Sequence, residues 1–292
     1  MSYLLASSFF SIFERLNREK ALKTGKAIGS LFWNLGYRKD VILKNLDIAF
    51  PEKNKNWKLQ IGKASLQNLG KVLAEFPKIP EYKKSGQLSE IYQVVEGKEY
   101  LQEKGAKILT SAHIGNWELG GACIASETEK LISLAYRMKN KKLNDLITSI
   151  RQEAGIKIIF HDQPLKDFIK AIREGKTISF LVDQNALRHR GVFVDFFGLP
   201  ASTVTFPAKL AVKFKLPIYF AYGVYDRNSN KFNISVKKIN FSSTGNEEDD
   251  IKNLTALYTK EVEKAVIQYP EQYFWVHKRW KTRPEGEPEN IY

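Results

Sequence analysis

In the run Lys107-Ile-Leu-Thr-Ser-Ala-His-Ile-Gly-Asn-Trp-Glu-Leu-Gly-Gly121, His113 is followed by Glu118 with four residues between them. Imidazole is the side chain that takes and returns a proton near neutral pH, and a nearby carboxylate fixes its tautomer and steadies the imidazolium. A base within reach of an alcohol contributes on the order of 10²- to 10⁴-fold to an acyl transfer, because hydroxyls are poor nucleophiles at neutral pH. On one regular helix the five-residue step would rotate His113 and Glu118 apart, so the pairing requires a bend, which Gly115 permits. A helix that starts after the bend would aim backbone N–H groups near Gly115 and Asn116 at an oxyanion or a phosphate. The spacing equally fits a hydrogen-bonded histidine at a strand end and a first-turn carboxylate favoured by the helix dipole.

The elements around this run set where it sits. Residues up to about 90 read as helical, with Ile28, Leu31, Phe32 and Leu35 at three- and four-residue intervals and Pro51, Pro77 and Pro80 as breaks. From about residue 92, short apolar runs alternate with helical stretches: Tyr92 to Val95, Ala106 to Ser111, Ile156 to Phe160, Thr177 to Val182 and Ile218 to Val224. This alternation predicts an α/β fold, a single domain over 1–292 with a central mostly parallel or mixed sheet flanked by helices and preceded by N-terminal helices. His113 then falls at a strand exit. A polar loop over Asn240 to Asp250 leads to a helix from about Ile251 to Tyr269, ended by Pro270.

Forty-six Lys and Arg against 32 Asp and Glu give a net charge of +14, which favours an anionic partner: a membrane, an acidic protein or a nucleic acid. No nucleic-acid module is recognisable, and none is expected as a partner. The single Cys123 excludes an intramolecular disulfide, points to a reducing compartment, and leaves no multi-thiolate metal site. No run reaches the ~20 apolar residues of a membrane span. Residues 1–16 predict an amphipathic surface helix, with Leu5, Phe9, Ile12, Phe13 and Leu16 on one face and Arg15, Arg18, Lys20, Lys23 and Lys26 behind it. An ordinary core-packed helix has the same pattern.

Four blocks fall in order over nearly the whole chain: Arg38 through Asn45-Leu-Asp-Ile-Ala-Phe-Pro-Glu52; His113 to Glu118; Leu181-Val-Asp-Gln184 with Phe196-Phe-Gly198; and Trp275-Val-His-Lys-Arg-Trp-Lys281. Together they resemble the late acyltransferases of lipid A biosynthesis, the lauroyl and myristoyl transferase family within the glycerolipid acyltransferase superfamily. The resemblance implies a glycerolipid-acyltransferase-like fold and direct transfer, without an acyl-enzyme, from an acyl carrier protein thioester to a hydroxyl of a lipid A precursor. It implies His113 as base and Glu118 as its support. Arg151, in Ser149-Ile-Arg-Gln-Glu-Ala-Gly155, would hold a phosphate or the oxyanion, and Asp183 would orient Arg151 or His113. Asp195, where the family commonly has Pro, and Phe206-Pro207, where a Gly is frequent, depart from the pattern and bear on substrate shape.

Arg188, Arg190, Lys278 and Arg279 lie in basic clusters suited to anionic substrate groups. Their neighbours His189 and His277 lack zinc-like spacing, and His277 fits a structural role as well. Adjacent His161 and Asp162 should face apart, and Cys123 fits a core position. The expectation is thus an acyltransferase needing no cofactor beyond its thioester donor, acting at the cytoplasmic face of the bacterial inner membrane. Another phospholipid or glycolipid acceptor, or a non-catalytic protein binding anionic surfaces, are the alternatives.

Overall fold

The computed structural model describes residues 3–229, 231–288 and 290–292. Helices α1 (Tyr3–Arg15), α2 (Arg18–Asn34), α3 (Lys39–Ala49) and α4 (Lys55–Glu75) come first, followed by the short α5 (Ile79–Lys84) and α6 (Leu88–Ile91). The chain then runs β1 (Tyr92–Glu96), α7 (Lys98–Gln102), β2 (Lys107–Ser111), α8 (Trp117–Glu127), β3 (Leu131–Ala135), α9 (Lys141–Glu153) and β4 (Ile156–Phe160). It continues through α10 (Leu165–Arg173), β5 (Thr177–Leu181), β6 (Gly191–Phe196), β7 (Leu199–Val204), α11 (Phe206–Phe214), β8 (Ile218–Tyr225), β9 (Phe232–Lys238) and α12 (Glu247–Gln268). Asparagine starts many of these helices: Asn17, Asn54, Asn116, Asn140 and Asn246 each accept a backbone N–H from the first turn. The cap at Asn246 starts α12 at Glu247, within the stretch expected to be loop.

Seven strands form one sheet in the order β1-β9-β8-β2-β5-β3-β4, with β8 and β9 antiparallel and every other neighbouring pair parallel. The α/β fold with a mixed, mostly parallel sheet is therefore as the sequence predicts. β3 and β9 were not anticipated, nor was the separate β6–β7 hairpin. Strand alternation splits the interior in two: Ile108, Ile178, Phe180 and Phe220 face α11, α12 and Trp280, whereas Leu109, Leu131, Ile156 and Ile158 face α8 and α9.

The N-terminal helices are built into this body. Ala6, Phe10 and Phe13 of α1 are buried, Phe10 meeting the Phe76 ring edge-on at 5.8 Å, while Leu4, Leu5 and Ile12 are exposed. The expected apolar stripe is thus divided: Phe13 packs inward, and Leu5 and Ile12 face out. Lys78, buried, donates to Glu14 O at 3.0 Å and Leu16 O at 2.5 Å, closing the C-terminus of α1 with a cation. Arg18, expected in a solvent-facing basic run, instead turns in to Glu75 at 2.6 Å.

α2 and α4 touch backbone to backbone. A Cβ at Gly25 or Gly29 would collide with the carbonyl oxygen of Gly70 or Leu66, and one at Gly70 with that of Gly25. Gly70→Val should therefore destabilise the protein by at least about 1–3 kcal/mol, lowering the thermal midpoint by about 2 °C or more. An unchanged midpoint in a calorimetric scan would show that these helices have room to separate.

Candidate active site

Parallel pairing of β2 with β5 sets Ser111 beside Leu181, and Val182 N donates to Ser111 O at 2.9 Å. Two residues further along each strand, His113 and Asp183 therefore stand side by side. Asp183 Oδ2 accepts the His113 backbone N–H at 3.1 Å, and Oδ1 lies 2.8 Å from His113 Nδ1. Burial alone would raise the Asp183 carboxyl, but the adjacent His113 ring and backbone N–H outweigh it and hold it below the usual carboxylate range. An ionised Asp183 can only accept, so Nδ1 carries a proton, and in the neutral ring Nε2 is the nitrogen with the lone pair.

The turn after His113 is held from both ends of the chain. His113 O accepts from Phe274 N at 3.0 Å, Gly115 N donates to Gln272 O at 2.9 Å, and Asn68 Nδ2 donates to Gly115 O at 2.7 Å. Gly115 lies at φ +60° against the Gly223 carbonyl, where a Cβ would collide. Its N–H is engaged with Gln272 and not offered to an oxyanion, contrary to expectation. Asn116, the other residue expected there, points its side chain inward: Oδ1 caps Leu119 N at 3.1 Å, and Nδ2 donates to Glu75 and to Tyr225.

The bend at Gly115 does not bring Glu118 to the imidazole. Glu118 takes the guanidinium of Arg151 in a two-pronged ion pair, Nε–Oε2 2.9 Å and Nη2–Oε1 2.6 Å, a geometry that a planar fork and a carboxylate favour. The carboxylate hydrogen-bonded to His113 is that of Asp183, so of its two expected partners Asp183 meets His113. The ring is packed by Trp117 and Phe274, with centroids at 5.0 and 5.6 Å; the sequence singles out neither, although Trp117 lies within the His113-to-Glu118 block and Phe274 directly precedes the Trp275 block.

The His113 side chain is 16% exposed, and it opens on a cavity of about 1010 Å³ that Glu118, Arg151 and Gln184 also line. Gln184 Nε2 stands 3.4 Å from His113 Nε2, a donor facing the free lone pair. On the α8 and α9 side the cavity wall is apolar, with Leu109, Ile124, Leu131, Ile147, Ile156 and Ile158. On the other side His189, Arg190 and Lys209 supply basic groups, of which Lys209 was not foreseen.

The remaining basic candidates divide. Arg190 is exposed and lines the cavity. Arg188 donates to Arg283 O at 2.8 Å, and the Lys278 ammonium lies over the Tyr292 ring at 5.2 Å. Arg279 is corrected outright: it is 2% exposed and donates to Ser202 O at 2.7 Å and Thr203 Oγ1 at 2.5 Å, so it braces the β6–β7 hairpin from inside. His277 is structural. Burial pushes it down to about 4, and its neutral Nε2 accepts from Asn185 N at 2.9 Å, pinning the loop after Asp183. His161 and Asp162 lie in the turn after β4 and not on a strand; His161 stacks on Tyr136 while Asp162 pairs with Arg137. Cys123 is buried, its thiol pushed up by desolvation.

Fold and site together define an α/β protein with an imidazole–carboxylate pair at the mouth of a largely apolar cavity. Residues 3–282 match the bacterial lipid A biosynthesis acyltransferase family, and the chain belongs to it. It is an acyltransferase, and acyl transfer in lipid A biosynthesis is the reaction class of that family. A lipid A biosynthesis acyltransferase of Haemophilus influenzae is 26% identical over 282 residues, 92% of this chain and 86% of the relative. The lipid A biosynthesis lauroyltransferase of Escherichia coli is 23% identical over 86% of this chain and 81% of its own, and the palmitoleoyltransferase of the same organism matches at 23% over the same shares. Among solved structures, the 1-acyl-sn-glycerophosphate acyltransferase PlsC of Thermotoga maritima aligns at a TM-score of 0.35 and 14% identity, covering 83% of this chain and 98% of that one.

The Asp183–His113 geometry makes a direct prediction. An Asp with a depressed native value stabilises the fold above its ordinary value near ~4, and that contribution is lost as pH falls through the lower native value. Asp183→Asn should remove this acid-side loss of stability. It should also cut turnover by on the order of 10²- to 10⁴-fold, since an amide can donate and so stabilise the wrong tautomer. Acid melts read alongside steady-state rates test both halves, and near-native turnover would remove Asp183 from the site.

Proposed function

We propose that the protein transfers a fatty acyl chain from an acyl carrier protein thioester to a hydroxyl of a lipid A precursor, with His113 as general base and Asp183, in place of Glu118, as its support. The observation that carries this reading is the His113 ring, with Nδ1 held by Asp183 at 2.8 Å and the ring opening on an apolar-walled cavity. In this scheme Nε2 removes the acceptor hydroxyl's proton as the oxygen attacks the thioester carbonyl. The tetrahedral intermediate then collapses, the C–S bond breaks, and Nε2–H returns the proton to the departing thiolate. No acyl-enzyme and no cofactor enter the scheme. The Gln184 amide, a donor beside Nε2, is placed to meet the substrate oxygens.

The Glu118–Arg151 pair serves as one fixed unit of the cavity wall, with the guanidinium edge turned to an anionic group while its charge is balanced by the carboxylate. Arg190 and Lys209 at the opposite wall meet acceptor phosphates, and the apolar wall under α8 and α9 takes the acyl chain. No helix among the described residues is long and apolar enough to cross a membrane. Exposed Leu4, Leu5 and Ile12 on α1, with Tyr136, Met138 and Leu187 at the cavity rim, give apolar contacts for the cytoplasmic face of the inner membrane, reinforced by the charge of +14.

Purified protein incubated with acyl carrier proteins bearing different chains and a lipid A precursor should yield an acylated product by mass spectrometry. His113→Ala should reduce its formation by on the order of 10²-fold or more, and a near-native rate would end the assignment of the base. Replacing Leu5 and Ile12 by Ser should shift protein from anionic vesicles to the supernatant at sedimentation while leaving the rate on detergent-dispersed substrate within about twofold. Undiminished vesicle recovery would take α1 out of the membrane contact.

A further inference from the structure

Glu75, the last residue of α4, is fully buried and has no part in the proposed proton transfers. Its carboxylate joins four elements. Oε1 accepts from Arg18 Nε of α2 at 2.6 Å; Oε2 accepts from Asn116 Nδ2 at 2.9 Å and from the Tyr225 hydroxyl, at the end of β8, at 2.6 Å. A carboxylate held away from water is tolerated only when its lone pairs are answered, and here a cation and two neutral donors answer them. Burial and the Glu75 charge keep the Tyr225 hydroxyl protonated, so it remains a donor.

The consequence falls on Asn116. Its Oδ1 is committed to Leu119 N, the cap of α8, so its amide nitrogen must find acceptors on the other side, and Glu75 and Tyr225 are those acceptors. An N-cap with both ends of its amide fixed sets where the helix begins. The next two residues are Trp117, whose ring packs on His113, and Glu118, which grips Arg151. We infer that Glu75 is a positioning residue that acts through Asn116 to hold the first turn of α8, and with it the Trp117 wall of the base and the Glu118–Arg151 pair. As a role in turnover, this rests on the acyl-transfer reading above.

The test is a double-mutant cycle on kcat and KM, with rates normalised to folded protein. Glu75→Ala and Asn116→Ala should each lower kcat by about ten- to hundredfold with KM for both substrates within about twofold, and the double variant should be no worse than the poorer single one by more than about twofold. Multiplying effects, or a native kcat in Glu75→Ala, would overturn the inference. Hydrogen exchange gives a readout independent of activity: amides from Gly115 to Gly120 in Glu75→Ala should exchange at least about tenfold faster while those of β8 from Ile218 to Tyr222 do not. Unchanged exchange at the turn also overturns the inference. If native protein acylates no acceptor, the functional reading fails while exchange still decides whether Glu75 holds the turn. Should Glu75→Ala not fold, the reversed pair decides. Asn116→Asp alone opposes two carboxylates and should lose at least about tenfold in kcat, or in protection of the turn amides, and adding Glu75→Gln should restore at least about fivefold of that loss. No restoration overturns the inference.

Discussion

A single buried carboxylate, that of Asp183, governs the layout of the site. It is 4% exposed and is answered by the ring and the backbone N–H of one residue, His113. Such a group is costly to hold away from water, and removing one of its donors would leave an uncompensated charge. The strands that deliver the two residues must therefore keep their register, and parallel pairing of Ser111 with Leu181 fixes it. The loop after Asp183 must keep its course as well, which the neutral His277 ensures through Asn185 N.

The four blocks that marked the sequence meet around this pair in space. Arg38 reaches Val276 O at 2.8 Å, and Asn45 Nδ2 reaches Trp275 O and His277 O, each at 2.7 Å. The C-terminal block so held then carries Gln272 and Phe274 to the His113 turn. Residues far from the chemistry in sequence thus serve it by satisfying backbone groups that would otherwise be buried without partners. Arg279 and Trp280 extend the same clasp to the β6–β7 hairpin and the Phe196 ring.

Much of this was legible in the residues. Strands β2 and β5, the position of His113 at a strand exit, and the α/β class followed from apolar runs and their spacing. β9 carries a readable signal, since Phe232, Ile234 and Val236 alternate with polar residues, but it follows β8 directly and antiparallel, with no helix between them to announce a new strand. Proximity in sequence favours Glu118 as the His113 partner and leaves Asp183 one of two roles, whereas a parallel sheet brings His113 and Asp183 together from 70 positions apart. Two exits from neighbouring strands are the signal that favours Asp183. Arg279 reads as a substrate-binding cation because charge is a local property of the sequence and burial is not. Its acceptors, Ser202 and Thr203, lie on a hairpin that the sequence pattern did not disclose.

The clasp between Asn45 and the Trp275–His277 segment has a consequence for biosynthesis. While a ribosome is still extending the polypeptide, the histidine turn has been translated, yet the strap supplying Gln272 and Phe274 has not emerged, so its carbonyl and amide groups stay wet and unfixed. A nascent chain can thus collapse its sheet without possessing a competent centre. Closure of that strap over the helices translated before it is a long-range contact, whose loop-closure entropy opposes it until the C-terminal segment is available.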